Sequence, residues 1–248
     1  MPVEQVQDMY EELRERLRRA RRVFVLTGAG VSAESGVPTF RGGGNSAVWK
    51  SLPFDVISSA RMVEQDLRAV WEWFDYRRGV LQHCQPNPAH ATLARWQSTF
   101  PQFTLVTQNV DGLHTIAGSR DVLELHGNVW RALCLSCAGR EDIGEKDDGV
   151  RPPVCRACGG LMRPDVVLFG EMLPLDVFSL AARRATECDV CLVVGTSAIV
   201  YPAADLPVTA RRAGAYLVEV NPEATSLSEI CHATLRGPAG VVLPRLDF

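Results

Sequence analysis

Short, unbroken apolar runs recur along this chain and alternate with stretches of helical period. The first is Val23-Phe-Val-Leu-Thr27, and similar runs lie at 103–107, 122–125, 189–194 and 215–220. A strand that is apolar at every position is buried on both faces, which is the signature of a parallel sheet covered by helices. Between the runs, helical patterns recur. Val6, Met9, Tyr10, Leu13, Leu17 and Ala20 predict an amphipathic helix to about residue 21, and 88–98 and 174–187 read as further helices. Strands alternating with helices predict an open α/β fold. Two segments break the rhythm. Residues 41–87 open on glycines and continue as a helical region around 64–83, and residues 128–169 carry cysteines, prolines and an acidic loop. The expected organisation is a large α/β domain from 1–40, 88–127 and 171–248, with 41–87 and 128–170 inserted as a smaller lobe.

Composition narrows the class. The chain has 248 residues, 46% apolar and 22% charged, which excludes disordered and collagen-like chains. No window approaches 18 uninterrupted apolar residues, so a membrane-spanning helix is not expected. A formal charge of -3 with scattered arginines argues against a nucleic-acid binder. Glu4, Asp8, Glu11, Glu12 and Glu15 interrupt the basic N-terminal stretch, unlike a transit peptide, and no signal-type apolar core is present. The expected compartment is the cytoplasm, where eight cysteines are thiols or metal ligands.

The first strand runs into Gly28-Ala29-Gly30-Val31-Ser32-Ala33, a G-x-G-x-x-A pattern. Glycines there let backbone N–H groups approach a pyrophosphate, although a tight strand-to-helix turn gives the same pattern. The continuation, Glu34 to Gly42, contains two glycines and a proline, and no acidic residue closes a second strand about twenty positions on. A loop covering a cofactor fits this better than a hydride-transfer site.

Cys134-x2-Cys137 and Cys155-x2-Cys158 are separated by 17 residues. Two such knuckles bring four thiolates to one point, as a four-cysteine zinc site requires. Disulfides, a redox pair and an iron–sulfur cluster are the alternatives. Four protein ligands leave no open position, so a single Zn2+ here would be structural. Cys84, Cys188, Cys191 and Cys231 have no such pattern, and Cys188 and Cys191 read as buried core thiols.

Polar residues follow the apolar runs. Thr107-Gln-Asn-Val-Asp-Gly-Leu-His114 follows one, His126-Gly127 another, Gly195-Thr196-Ser197 a third, and Asn221 a fourth. Carboxyl ends of strands are where open α/β sheets bind ligands. That position raises His126 above His83, His90, His114 and His232 as a general base at neutral pH.

Together these residues resemble the sirtuins. The resemblance rests on Gly28 to Gly42, Thr107 to His114, His126-Gly127, the paired knuckles, Arg163-Pro-Asp-Val-Val-Leu-Phe-Gly-Glu171 and Gly195-Thr-Ser197, in the family's order. It implies a Rossmann-type doubly wound large domain, a zinc-bearing small lobe, and NAD-dependent removal of acyl groups from protein lysines, with acyl-lysine proteins or peptides as partners and neither nucleic acid nor membrane among them. By position it implies that Gly28, Ala29, Gly30, Glu34, Phe40 and Arg41 line the NAD site. Gln108, Asn109 and Asp111 would hold the ribose and nicotinamide, and Gly195, Thr196, Ser197, Asn221, Glu223 and Ala239 the adenosine side. Val166, Val167, Phe169 and Gly170 would pair with substrate backbone and wall the lysine tunnel. His126 would be the base, with Asn109 beside the reacting centre. In the implied reaction the acyl oxygen displaces nicotinamide. His126 then activates a ribose hydroxyl, and lysine and O-acyl-ADP-ribose are released. A mono-ADP-ribosyltransferase or NAD hydrolase on the same scaffold would share every cofactor residue. The short termini suggest a monomer.

Thr39 resembles the branch whose members often remove succinyl, malonyl or glutaryl groups. That branch carries Tyr-x-x-Arg on the small-lobe helix, and the matching pair here is Phe74 and Arg77. Tyr76 lies about 100° around the helix from Arg77 and cannot supply the missing hydroxyl. Arg77 would either meet an acyl carboxylate or lie solvated on the surface.

Overall fold

A computed structural model describes residues 3–38, 48–144, 149 and 151–247. Thr39, Phe40 and Arg41, to which the resemblance gives roles, lie outside the described residues. The elements in chain order begin with α1 (Val3–Arg19), β1 (Arg22–Thr27) and a 3-10 turn at Ala29–Ser35. A hairpin of β2 (Val48–Trp49) and β3 (Leu52–Pro53) leads into α2 (Phe54–Ile57), α3 (Ala60–Gln65) and α4 (Leu67–Leu81). Then come α5 (Pro88–Thr99), β4 (Gln102–Thr107), α6 (Leu113–Ile116), β5 (Leu123–Glu124), β6 (Gly127–Cys134), β7 (Arg140–Asp142) and β8 (Met162–Val166). The chain continues with α7 (Leu175–Glu187), β9 (Val190–Val194), α8 (Asp205–Arg212), β10 (Tyr216–Val220), β11 (Ala233–Leu235) and α9 (Ala239–Val242).

Six strands form one sheet in the order β11-β10-β9-β1-β4-β5, with every pairing parallel. Read from β5, this is the 3-2-1-4-5-6 order of a doubly wound dinucleotide-binding sheet. The order reverses between β1 and β9, which places the switch point at their carboxyl ends. Alternate residues of each strand face opposite sides. Val23, Val25, Leu105, Leu192 and Val218 pack with Leu13, Leu17, Leu93 and Trp96 of α1 and α5. Phe24, Leu26, Val106, Cys191 and Val193 pack with Ala181, Ala185, Leu206 and Ala210 of α7 and α8. Both faces are covered, which is why the runs are apolar throughout. Cys188 and Cys191 are buried as expected.

The ends of several elements differ from the sequence expectation for physical reasons. Asp189 is not in the strand; its carboxylate accepts N–H bonds from Arg21 and Arg22, both 2.8 Å, and pairs with the Arg22 guanidinium. The run at 122–125 pairs only through Leu123 and Glu124. The helical region around 64–83 is two helices, because Asp66 leaves helical geometry and caps α4 by accepting from the Ala69 N–H at 2.9 Å.

The second sheet is antiparallel, in the order β7-β6-β8, and carries the cysteines. Trp71 of α4 is fully buried and donates its indole N–H to the Met162 carbonyl at 2.8 Å, joining the helices to this sheet. None of the helices among the described residues is long and apolar enough to cross a membrane.

Candidate active site

The loops after β1 and β9 meet at the switch point. The Gly28 N–H donates to Val194 O (3.0 Å) and the Gly30 N–H to Gly195 O (2.7 Å). A Cβ on Gly30 would lie 2.7 Å from Gly195 Cα, and Gly195 itself has φ +61°. These glycines therefore let two loops touch backbone to backbone. The N–H groups of Gly28 and Gly30 are themselves bonded within the protein. Gly28 is buried, while Ala29 and Gly30 are half-exposed at the loop surface. Thr196 is bridged to the next loop by the Gln108 amide, which donates to its Oγ1 at 3.0 Å, and Ser197 stands half-exposed beside it.

Below the loop lies a buried polar relay that sequence reading did not single out. The Asn87 N–H donates to His90 Nδ1 (3.2 Å), so a neutral His90 carries its proton on Nε2. That nitrogen lies 3.3 Å from Ser32 Oγ, and Ser32 donates in turn to Asp111 Oδ2 at 2.8 Å. Asn109 Nδ2 also donates to Ser32 Oγ, at 3.1 Å. Burial lowers the His90 pKa to about 4, keeping the ring neutral and the direction of the relay fixed. Burial pushes the Asp111 carboxyl up, opposed by its bonds from Leu113 N–H and Ser32 and by the Arg77 charge. Asn109 and Asp111 are thus brought together and held at stated atoms. His114 sits beside His90, ring centroids 4.8 Å apart, with Nε2 on Thr27 Oγ1 at 2.9 Å.

His126 follows β5 after one residue, Leu125. Its Nδ1 is 2.8 Å from Gln108 O. A carbonyl only accepts, so Nδ1 carries the proton and Nε2 keeps a lone pair. Burial lowers the ring's pKa below 6.5, partly opposed by that bond. The next residue, Gly127, has φ +77°, and a Cβ there would lie 2.1 Å from Asp165 O. The His126 carbonyl accepts from the Val167 N–H at 2.9 Å, so the histidine and segment 166–170 are tied through the backbone. Phe169 continues the segment, paired to Ser58 O and half-exposed; Val166 is buried and Gly170 has φ +90°. Arg163 and Glu171 close the segment's two ends, Glu171 also accepting from Leu168 N–H at 2.8 Å.

On the other flank, Asn221 donates to Glu223 O at 2.8 Å, and Arg236 reaches the same carbonyl at 2.9 Å. Glu34 accepts from Gly240 N–H at 2.6 Å, which brings the β1 loop against buried Ala239.

Phe74 is buried in the small-lobe core with Val37, Leu113, Val166 and Leu168. Arg77 is 7% exposed, so it is not a solvated surface arginine. Burial lowers its pKa, opposed by the neighbouring Tyr76, Asp111 and Cys84. Its guanidinium carbon lies 5.7 Å from the Trp73 ring. Tyr76 is half-exposed against Trp49.

The four knuckle cysteines present sulfurs all within 4.8 Å of one another, with no disulfide among them. Cys134–Cys158 and Cys137–Cys155 are 3.5 and 3.7 Å apart. A tetrahedron with Zn–S of about 2.3 Å has edges of about 3.8 Å, so the four thiols fit one zinc ion. N–H groups of Cys137 and Ser136 aimed at Cys134 lower its pKa, while the crowded neighbouring thiols raise those of Cys155 and Cys158. The switch-point loops likewise fit NAD: amides, hydroxyls and a carboxylate from several strand ends surround the place where doubly wound sheets take dinucleotides.

Comparison with known proteins agrees with this reading. The Sir2 family model matches residues 28–202. An NAD-dependent protein deacylase 2 of Pyrobaculum aerophilum is 46% identical over 230 residues, 93% of this chain and 91% of that protein. An NAD-dependent protein deacylase of Thermus thermophilus is 48% identical over 231 residues, 91% and 89% of the two chains. A solved complex of a Sir2 homologue with NAD superposes with a TM-score of 0.87 at 41% identity, covering 95% of this chain and 91% of that one. A Sir2 complex with a p53 peptide and NAD+ gives 0.82 at 30% identity, covering 99% and 97%. With the switch-point loops, the four-thiol cluster and these matches in agreement, the chain belongs to the Sir2 family.

Proposed function

We propose that this chain is an NAD-dependent protein-lysine deacylase acting on acylated proteins or peptides, with His126 as its general base. The observation that carries this is the double attachment of His126. Its ring is oriented by Gln108 O, and its backbone carbonyl holds Val167 of the segment proposed to receive substrate. When bound, NAD supplies the electrophilic ribose carbon to which the acyl oxygen is transferred. Nε2 of His126, left with its lone pair, takes the proton of a ribose hydroxyl. Asn109 and Asp111, fixed by Ser32, orient the ribose, while Gly195, Thr196, Ser197, Asn221, Glu223 and Ala239 face the adenosine side. Because an acyl oxygen is a weak nucleophile, orientation and exclusion of water supply much of the rate. Cys134, Cys137, Cys155 and Cys158 would hold a zinc ion with no open position, so it would brace the small lobe without entering the chemistry. The chain acts in the cytoplasm on this reading.

The acyl group is read at Phe74 and Arg77. Acetyl-lysine is a substrate, and removal of succinyl or malonyl groups is weakened by the missing hydroxyl at Phe74 but not abolished. A charge-assisted bond from Arg77 contributes about 1.5–3 kcal/mol, and the hydroxyl absent from Phe74 about 1 kcal/mol, a fivefold effect. Acetyl- and succinyl-lysine peptides incubated with the purified chain should each lose the acyl group only when NAD is present. Phe74→Tyr should raise kcat/KM for the succinyl peptide about fivefold, one hydroxyl bond of about 1 kcal/mol. Loss of acyl groups without NAD would refute the activity, and an unchanged succinyl rate in Phe74→Tyr would refute the assignment of the pocket.

A further inference from the structure

We propose that Arg131 is a positioning residue for deacylation, setting the substrate segment 166–170 against His126; this rests on the deacylase reading above. Arg131 lies on β6 with its guanidinium between two carboxylates. Nη2 meets Glu124 Oε2 at 2.7 Å, and Nε meets Asp165 Oδ2 at 3.0 Å. Glu124 is the last residue of β5, two before His126. Asp165 sits in β8, immediately before Val166 and Val167. One planar guanidinium therefore spans the strand that delivers the base and the strand that delivers the substrate segment. Lysine, with a single ammonium, does not reproduce that fork.

The backbone joins the two strands at one end of this stretch, at Gly127↔Val166 and through Val167 N–H to His126 O. β6 and β8 pair at Gly127↔Val166 and again from Ala132↔Pro164, and the register shifts between them. Where the register shifts the ladder is locally disrupted, which leaves the two strands there to be joined by side chains. Arg131 stands in that interruption. The fit at its far end is tight, since Gly127 has no room for a Cβ against Asp165 O. The carboxylates are themselves held. Asn128 Nδ2 donates to Glu124 Oε1 at 2.7 Å, and Arg140 Nε reaches Asp165 Oδ2 at 3.1 Å. Asp165 is buried, and Glu124 and Arg131 are both partly covered. Arg140 touches Asp165 but has no bond to Glu124 among those described, so Arg131 carries the link.

The test compares the parent with Arg131→Met, Arg131→Lys and Asp165→Asn, using acetyl-lysine peptide and NAD. For Arg131→Met, kcat/KM for the peptide should fall about tenfold or more, as expected when a reacting pair is displaced by a fraction of an ångström. KM for the peptide should rise while KM for NAD stays within twofold. Zinc content should remain one ion per chain. Arg131→Lys should fall between Met and the parent, and Asp165→Asn should have little further effect when combined with Arg131→Met. Loss of zinc, or equal changes in both KM values, would show that Arg131 serves only the fold and would overturn the proposal. So would full activity in Arg131→Met. If that variant does not fold, Arg131→Lys and Asp165→Asn carry the same kinetic test. An inactive parent would instead refute the deacylase reading, so the two failures are distinguishable.

Discussion

His126 shows how surroundings suit a side chain to the role proposed for it. A free imidazole titrates near 6.5. Here burial disfavours the charged ring, and the Gln108 carbonyl fixes the proton on Nδ1. A base must be neutral to act, so a lowered pKa extends activity toward acid. The acidic limb of a plot of kcat/KM against pH, which reports the free enzyme, should therefore fall below pH 6.5. A limb at or above 6.5, or one unchanged in His126→Gln with residual activity, would contradict the assignment. His126 was legible in the sequence because it directly follows an apolar run. The relay through His90, Ser32 and Asp111 was not, because its members are 58 and 79 positions apart and meet only by folding. Arg77 shows the same limit: among so many arginines, nothing in the sequence marks the one that becomes buried.

At the scale of elements, the cysteine module combines a small sheet with four thiols placed to share one metal ion. β7 has three residues and β8 five, and much of the surrounding segment is loop. Such a small sheet has little apolar core of its own; Ala132, Cys134, Cys155 and Met162 pack with Trp71. Metal binding free energy is then folding free energy. Elemental analysis should find one zinc per chain. Chelation, or Cys155→Ser, should remove it, abolish deacylation and expose the module to proteolysis between β7 and β8, while the six-stranded sheet keeps its protection from hydrogen exchange. Retained activity after complete zinc loss would refute the structural role. The knuckles were readable from spacing alone. The antiparallel ladder was not, because Arg131, Arg163, Pro164 and Asp165 interrupt its apolar pattern. β11 was missed for a simpler reason: three residues are too few to show a period.

For the whole molecule, the sheet order and the site are one fact. Winding outward in both directions from β1 leaves a crevice between β1 and β9. The β1 and β9 loops, and that of β4 through Gln108, meet at it, and His126 and segment 166–170 are attached at its side. The class of fold was legible because burial on both faces makes a strand apolar throughout. How the two inserted segments meet was not, since contacts such as Trp71 with Met162 O depend on the folded chain. On the proposed function, this crevice couples the breaking of NAD to the removal of an acyl group through His126. The direct test is a mass-spectrometric time course of parent and His126→Ala with NAD and acetyl-lysine peptide. The parent should form equal amounts of free lysine peptide, nicotinamide and O-acetyl-ADP-ribose, and the variant should form no O-acetyl-ADP-ribose. Nicotinamide accumulating in the parent while the peptide keeps its acetyl group would contradict that function.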